Sequence, residues 1–162
     1  MIKIDRIFAL FVFAILVYSC CKDNGPDVEL DKLTKANWYY IKMRLIVINP
    51  IVPMYNKDSI IYPLDCEKKY YTRFLSDSTY INYYGKNKCD SYIPDSVVGK
   101  WSLNRSNFTL KKEDDLTGEG SYIINELNLK NLILVQETKI DIKVENKTET
   151  IRSKKTYYYE NK

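Results

Sequence analysis

Between Leu132 and Glu145 the side chains sort themselves by parity. Leu132, Leu134, Ile140, Ile142 and Val144 occupy one set of alternate positions, and Glu137, Lys139, Asp141, Lys143 and Glu145 occupy the other. Successive side chains of an extended strand point to opposite faces. A chain carrying this segment is therefore bound to form antiparallel sheet with one face on a core and the other in water. Fifteen tyrosines against five glycines reinforce the reading, because aromatic and β-branched side chains suit a pleated, half-buried surface. No segment carries a long, well-capped helical period, so the fold is expected to be mostly β.

Other segments repeat the pattern. Tyr39, Ile41, Met43, Leu45 and Val47 alternate with Tyr40, Lys42 and Arg44 across residues 37–49; Trp38 then points away from the core unless a bulge intervenes. Residues 49–65 hold three prolines and read as a long loop with a short strand at 60–62. Two aromatic-rich runs, 69–75 and 79–84, flank Ser76-Asp77-Ser78 as a hairpin. A second hairpin joins 100–103 to 108–111, with Trp101, Leu103, Phe108 and Leu110 facing inward. Strands at 122–127, 132–144 and 150–159 complete about eight. Closing them into a small antiparallel up-and-down barrel removes the sheet edges, and this architecture is preferred to a two-sheet sandwich.

The N-terminus is of a different character. Lys3 and Arg6 precede an apolar run of 12 residues, Ile7 to Tyr18, followed by Ser19-Cys20-Cys21 and an abrupt polar change. About 20 apolar residues are needed to span a bilayer, so the run reads as a removable export signal over residues 1–19. Leu16-Val17-Tyr18-Ser19-Cys20 resembles the bacterial lipobox, which implies acylation of Cys20; Cys21 is the other candidate. Residues 20–36 then read as the lipidated cysteine and a flexible tether, and 37–162 as the folded domain. Lys22-Asp23 resembles the start of the tag that sends Bacteroidota lipoproteins to the cell surface. The expected location is the outer membrane, lipid-anchored, facing the periplasm or the outside.

The order of motifs across residues 33–160 resembles the lipocalin-like domain lipoproteins of the Bacteroidota. It runs through Asn37-Trp38, Pro63-Leu64-Asp65-Cys66-Glu67-Lys68, Asp77-Ser78-Thr79-Tyr80, Cys89, Gly99-Lys100-Trp101-Ser102-Leu103 and Asn107-Phe108-Thr109-Leu110. The resemblance implies a β-barrel and a disulfide between Cys66 and Cys89. An oxidising export compartment independently favours pairing the two cysteines left after the lipobox. Asp58-Ser59-Ile60, Asp77-Ser78-Thr79 and Asp95-Ser96-Val97 resemble Bacteroidota O-glycosylation sites, which makes Ser59, Ser78 and Ser96 candidates; Asp-Ser is also ordinary turn chemistry.

Composition narrows the function classes. The chain contains no histidine, which removes His-based triads and most zinc sites. No metal and no cofactor is expected, and no enzyme. Glu113-Asp114-Asp115 lacks the ligand spacing of a calcium loop and reads as a solvated loop. Removing residues 1–19 takes two cations and one anion with it and lowers the net charge from +4 to +3. The scattered lysines, Lys111 and Lys112 among them, read as solvated surface, so nucleic acid is not an expected partner. Two readings stay open. In one, a barrel interior lined by Tyr39, Met43, Trp101, Phe108 and Tyr122 holds a small apolar ligand. In the other those side chains fill the barrel, and exposed tyrosines with the 49–65 loop contact a protein or glycan.

Overall fold

A computed structural model of the chain describes residues 26–145 and 147–162. Cys20 and Cys21, with the export signal and the first part of the tether, lie outside the described residues. The chain order is a helix α1 (Pro26–Thr34) and nine strands: β1 (Asn37–Ile48), β2 (Lys57–Ile61), β3 (Tyr71–Phe74), β4 (Thr79–Tyr83), β5 (Ser96–Asn104), β6 (Thr109–Asp114), β7 (Gly118–Leu127), β8 (Asn131–Val144) and β9 (Lys147–Asn161). Short 3-10 turns at Pro53–Tyr55 and Glu67–Lys69 punctuate the connections. No helix among the described residues is long and apolar enough to cross a membrane.

The strands form one antiparallel sheet in the order β2-β1-β3-β4-β5-β6-β7-β8-β9, and β9 pairs back onto β1. Eight strands thus close a barrel, with β2 added outside the circuit, as the alternation of the sequence leads one to expect. The closure is uneven. β1 meets β3 only through Asn37–Tyr39, and β2 takes the same edge of β1 from Met43 to Val47. β7 meets β8 only from Ile123 to Leu127. Beyond these points the barrel parts into two leaves, β8-β9-β1-β2 and β3 to β7, and it is therefore sealed at one end and open at the other.

A bulge decides which side chains of β1 enter. The β1–β9 register shifts between Tyr40 and Lys42, so Trp38 and Tyr40 lie on the inner face before the bulge and Met43 lies there after it. The extra residue absorbs the parity conflict posed by Trp38. Tyr39 is correspondingly on the outer face, where it continues a ladder with Tyr71 and Tyr83, ring centroids 5.4 and 5.0 Å apart.

The sealed end is filled. Trp38, Phe74, Tyr80, Leu110 and Leu132 are essentially inaccessible to water, and Trp101 packs edge-on to Phe74 at 5.5 Å. Gly99 makes this packing feasible, because a Cβ there would come within 2.4 Å of the Glu113 carbonyl oxygen and 2.6 Å of the Tyr80 ring. Gly99→Ala is expected to cost about 2–3 kcal/mol through overpacking, read as a shift in urea midpoint at constant m-value.

The expectation of a flexible tether up to residue 36 is corrected by α1. Leu33 is completely buried, Ala36 is buried behind it, and Leu30 packs against the same core. The Trp38 indole Nε1 donates to the Leu33 carbonyl at 2.9 Å, and the Thr34 hydroxyl donates to the Leu30 carbonyl at 2.9 Å. Pro26 stands at the first helical position, where its missing N–H costs nothing. Nine residues are too few to be stable alone; the helix forms because its Leu30/Leu33 face plugs the barrel. The packed unit accordingly includes α1 as well as the strands.

Candidate functional site: a tyrosine-lined cup

The open end holds a cavity of about 550 Å3 between the two leaves, lined by six inward-facing tyrosines (Tyr40, Tyr70, Tyr84, Tyr122, Tyr157 and Tyr159) together with Thr72, Asn82, Lys112, Gln136 and Lys155, and by Glu67 and Glu119 at its rim. Register explains the lining. On β6 the inward series is Leu110, Lys112, Asp114; on β9 it is Tyr159, Tyr157, Lys155. The apolar members sit at the sealed end and the polar ones at the open end, so one barrel carries a dry floor and a hydrogen-bonding cup above it.

Lys112 lies where the two meet. It faces Trp101 on one side and Gly120 on the other, and its ammonium stands over the Tyr80 ring at 4.4 Å and the Phe74 ring at 5.7 Å. Burial pushes the lysine down to about 8, against the opposing pull of Asp114. Gly120 contributes an absence of side chain: a Cβ would fall 2.6 Å from the Tyr122 hydroxyl, so the glycine leaves room for that ring to lie across β7.

Asp114 is buried at the end of β6 and not part of a solvated loop as its acidic neighbours suggest. It accepts from the Tyr80 hydroxyl, the Leu116 amide at 2.9 Å, and the Thr117 amide and hydroxyl. Burial raises its carboxyl, but the Tyr80 hydroxyl and the Thr117 and Leu116 donors outweigh that and hold it below the usual range. Its lone pairs are consumed by the fold, which leaves it little capacity for a ligand.

The cup is rich in donors. Burial raises the hydroxyls of Tyr40, Tyr84, Tyr122 and Tyr159, and pushes Tyr157 up to about 12. These phenols stay protonated through any ordinary pH. The two side-chain amide oxygens are engaged: Asn82 Oδ1 accepts from the Thr72 hydroxyl at 2.8 Å and Gln136 Oε1 from the Tyr157 hydroxyl at 3.5 Å. At the rim, Glu67 accepts from the Leu64 amide at 2.8 Å, and Glu119 lies 4.0 Å from Lys111. Among the described residues no carboxylate is within ion-pair distance of Lys112 or Lys155.

Of the interior residues expected from the sequence, Tyr122 lines the cup. Trp101 is buried below it, on the filled side of Lys112. Met43 is half-buried opposite Tyr157 and outside the lining. Phe108 is a correction: it is 42% exposed, with φ of 51° in the turn before β6, and that left-handed backbone carries it off the inward parity. Tyr39 is likewise corrected to the outer face by the β1 bulge. Lys112 moves the other way, from supposed surface to the cup floor; its shared parity with Leu110 is the signal that could have placed it.

Cys66 and Cys89 form a disulfide with Cα atoms 5.3 Å apart. It ties the segment entering β3 to the β4–β5 loop, and the Cys89 amide donates to the hydroxyl of Tyr70, a cup tyrosine, at 3.0 Å. The candidate glycosylation serines are spread apart. Ser78 is exposed in the β3–β4 turn with φ of 67°, Ser96 is exposed at the start of β5, and Ser59 is half-buried on β2 opposite Leu45. Their aspartates are engaged: Asp58 with Arg44 at 2.7 Å, Asp77 with the Thr79 hydroxyl at 2.6 Å, and Asp95 with Lys88 at 2.7 Å. No group of three or more metal-ligating side chains occurs among the described residues.

No family model matches the chain, and neither a curated protein nor a solved structure is significantly similar to it.

Proposed function

We propose that this chain is an exported, lipid-anchored binding protein of the outer membrane whose barrel takes one small molecule in its open cup, without transforming it. The observation that carries the reading is the half-filled interior. Its volume of about 550 Å3 is within the range of roughly 300–1,000 Å3 that small-molecule sites occupy. Aromatic walls with convergent hydroxyls supply both contact area and orientation. The anchor rests on the lipobox resemblance at Cys20, since two or more acyl chains hold a protein stably to a membrane.

Native mass spectrometry of protein taken from its own cells' membranes tests both halves. The expected spectrum shows a chain beginning at a diacylglyceryl-modified Cys20 and a co-purified small molecule at one per chain. An unmodified N-terminus would remove the anchor, and a uniformly bare chain would remove the resident ligand.

A second reading is favoured by the β1–β3 connection. Met54, Tyr55, Tyr62 and Leu64 are each more than 60% exposed there, an apolar surface suited to a protein or glycan partner. Crosslinking in intact cells tests it: a single specific adduct supports this reading, and abundant bystanders alone count against it.

A further inference from the structure

We infer that the ligand of the cup is a small amphipathic organic anion, its acidic group held at Lys112 and its body laid against the tyrosine rings. The inference rests on the cup being a ligand site, as proposed above, and adds the chemical class. Two lysines enter the cavity from opposite leaves, Lys112 on β6 and Lys155 on β9, and neither has an ion-pair partner among the described residues. The nearest buried carboxylate, Asp114, is saturated by Tyr80, Leu116 and Thr117. Phenolic hydroxyls make up much of the remaining polar surface, and the two carboxylates on the lining, Glu67 and Glu119, accept from the Leu64 amide and lie 4.0 Å from Lys111, respectively. Two lysines without a carboxylate partner among the described residues, set among hydroxyls that can donate, are complementary to a negative group placed at Lys112.

Lys112 is also expensive to keep. Its folded value lies below the ordinary 10.5, so between about pH 8 and 10.5 the unfolded chain binds the extra proton and stability rises with pH. Below about 8 both states are protonated and the whole penalty is present. A lysine maintained at a loss in the middle of a cavity wall fits a ligand contact, because functional sites are where such losses are tolerated.

Two fluorescent probes with one arylamine body separate the possibilities: 1-anilinonaphthalene-8-sulfonate, which is anionic, and N-phenyl-1-naphthylamine, which is neutral. Titrated into the intact protein at pH 7, the sulfonate is expected to bind at one site, at least about tenfold tighter than the neutral amine, the gain of a charge-assisted contact. Lys112→Met should erase that preference while leaving the neutral probe within about twofold; Lys112→Arg should retain it. Lys112→Met should also raise the thermal midpoint at pH 7, whereas removal of a merely structural lysine would lower it.

A measurement on the wild-type protein stands independently of how the variants fold. Sulfonate affinity should fall as pH rises from 7 to 9.5, by up to about tenfold per unit above pH 8, with the neutral probe unchanged. Beside Lys112 stand Asp114 on its own strand and the Tyr80 ring, and the titratable groups that share its cavity include Tyr84, Tyr122, Tyr159, Lys155 and the rim carboxylates Glu67 and Glu119. Asp114 is held ionised, and the four tyrosines are shifted upward. Equal binding of both probes, or a sulfonate preference that survives Lys112→Met, would overturn the anion inference and leave the cup as a neutral-ligand site. Failure of both probes to bind would instead strike the underlying ligand reading.

Discussion

Trp38→Ala is expected to lower the unfolding free energy by about 3–5 kcal/mol, the cost of deleting a fully buried large aromatic side chain. Trp38 has no exposed surface and lies at the sealed end of the barrel, against α1. Its loss opens a cavity beneath the core and also leaves the Leu33 carbonyl without its indole donor. Trp38→Phe helps to separate the two effects, since it loses the indole donor but keeps most of the buried volume; a loss of about 1–2 kcal/mol is expected there. The measurement is urea unfolding followed by tyrosine and tryptophan fluorescence. For a domain of this size the alanine variant should also fall in Tm by on the order of 10 °C. A loss below about 1 kcal/mol would mean that α1 and the barrel floor are not packed as described.

Joint replacement of Cys66 and Cys89 by alanine should cost about 3 kcal/mol, because the sequence separation of 23 closes a loop whose entropy is then returned to the unfolded chain. Reduction of the wild-type protein should reproduce the same midpoint. The effect extends to the cup. The bridged β4–β5 loop is what brings the Cys89 amide to the Tyr70 hydroxyl, and Tyr70 stands edge-on to Tyr84 at 5.1 Å. Weaker binding of the sulfonate probe should therefore accompany loss of the bridge. An unchanged midpoint on reduction would show that the loop is held by its other contacts alone.

Much of this architecture is legible in local sequence because a strand announces itself through nearest neighbours of like parity. The β8 alternation, the Ser76-Asp77-Ser78 turn and the Leu103/Leu110 pair are all short-range patterns. Failures cluster where one residue breaks the period. The β1 bulge exchanges Tyr39 for Trp38 and Tyr40 on the inner face, and the left-handed Phe108 leaves the inward series in the turn before β6. α1 is not legible in the sequence because nine residues with Leu30 and Leu33 carry too little helical period to stand out; the barrel supplies the surface that makes those leucines count.

Alternation and hairpin order alone determined an antiparallel sheet of about eight strands, and the family resemblance, together with the expectation of an oxidising compartment, pointed to the Cys66–Cys89 pair. Only the tertiary structure decided that the barrel is filled at one end and open at the other. That outcome depends on how few residues β1 shares with β3 and β7 with β8, and these are contacts between distant segments that no local period encodes. It also turned Lys112 from one lysine among many into the charged floor of a cavity. Parity assigns a side chain to a face, but only closure of the sheet makes that face an interior and so gives burial its power over the charge.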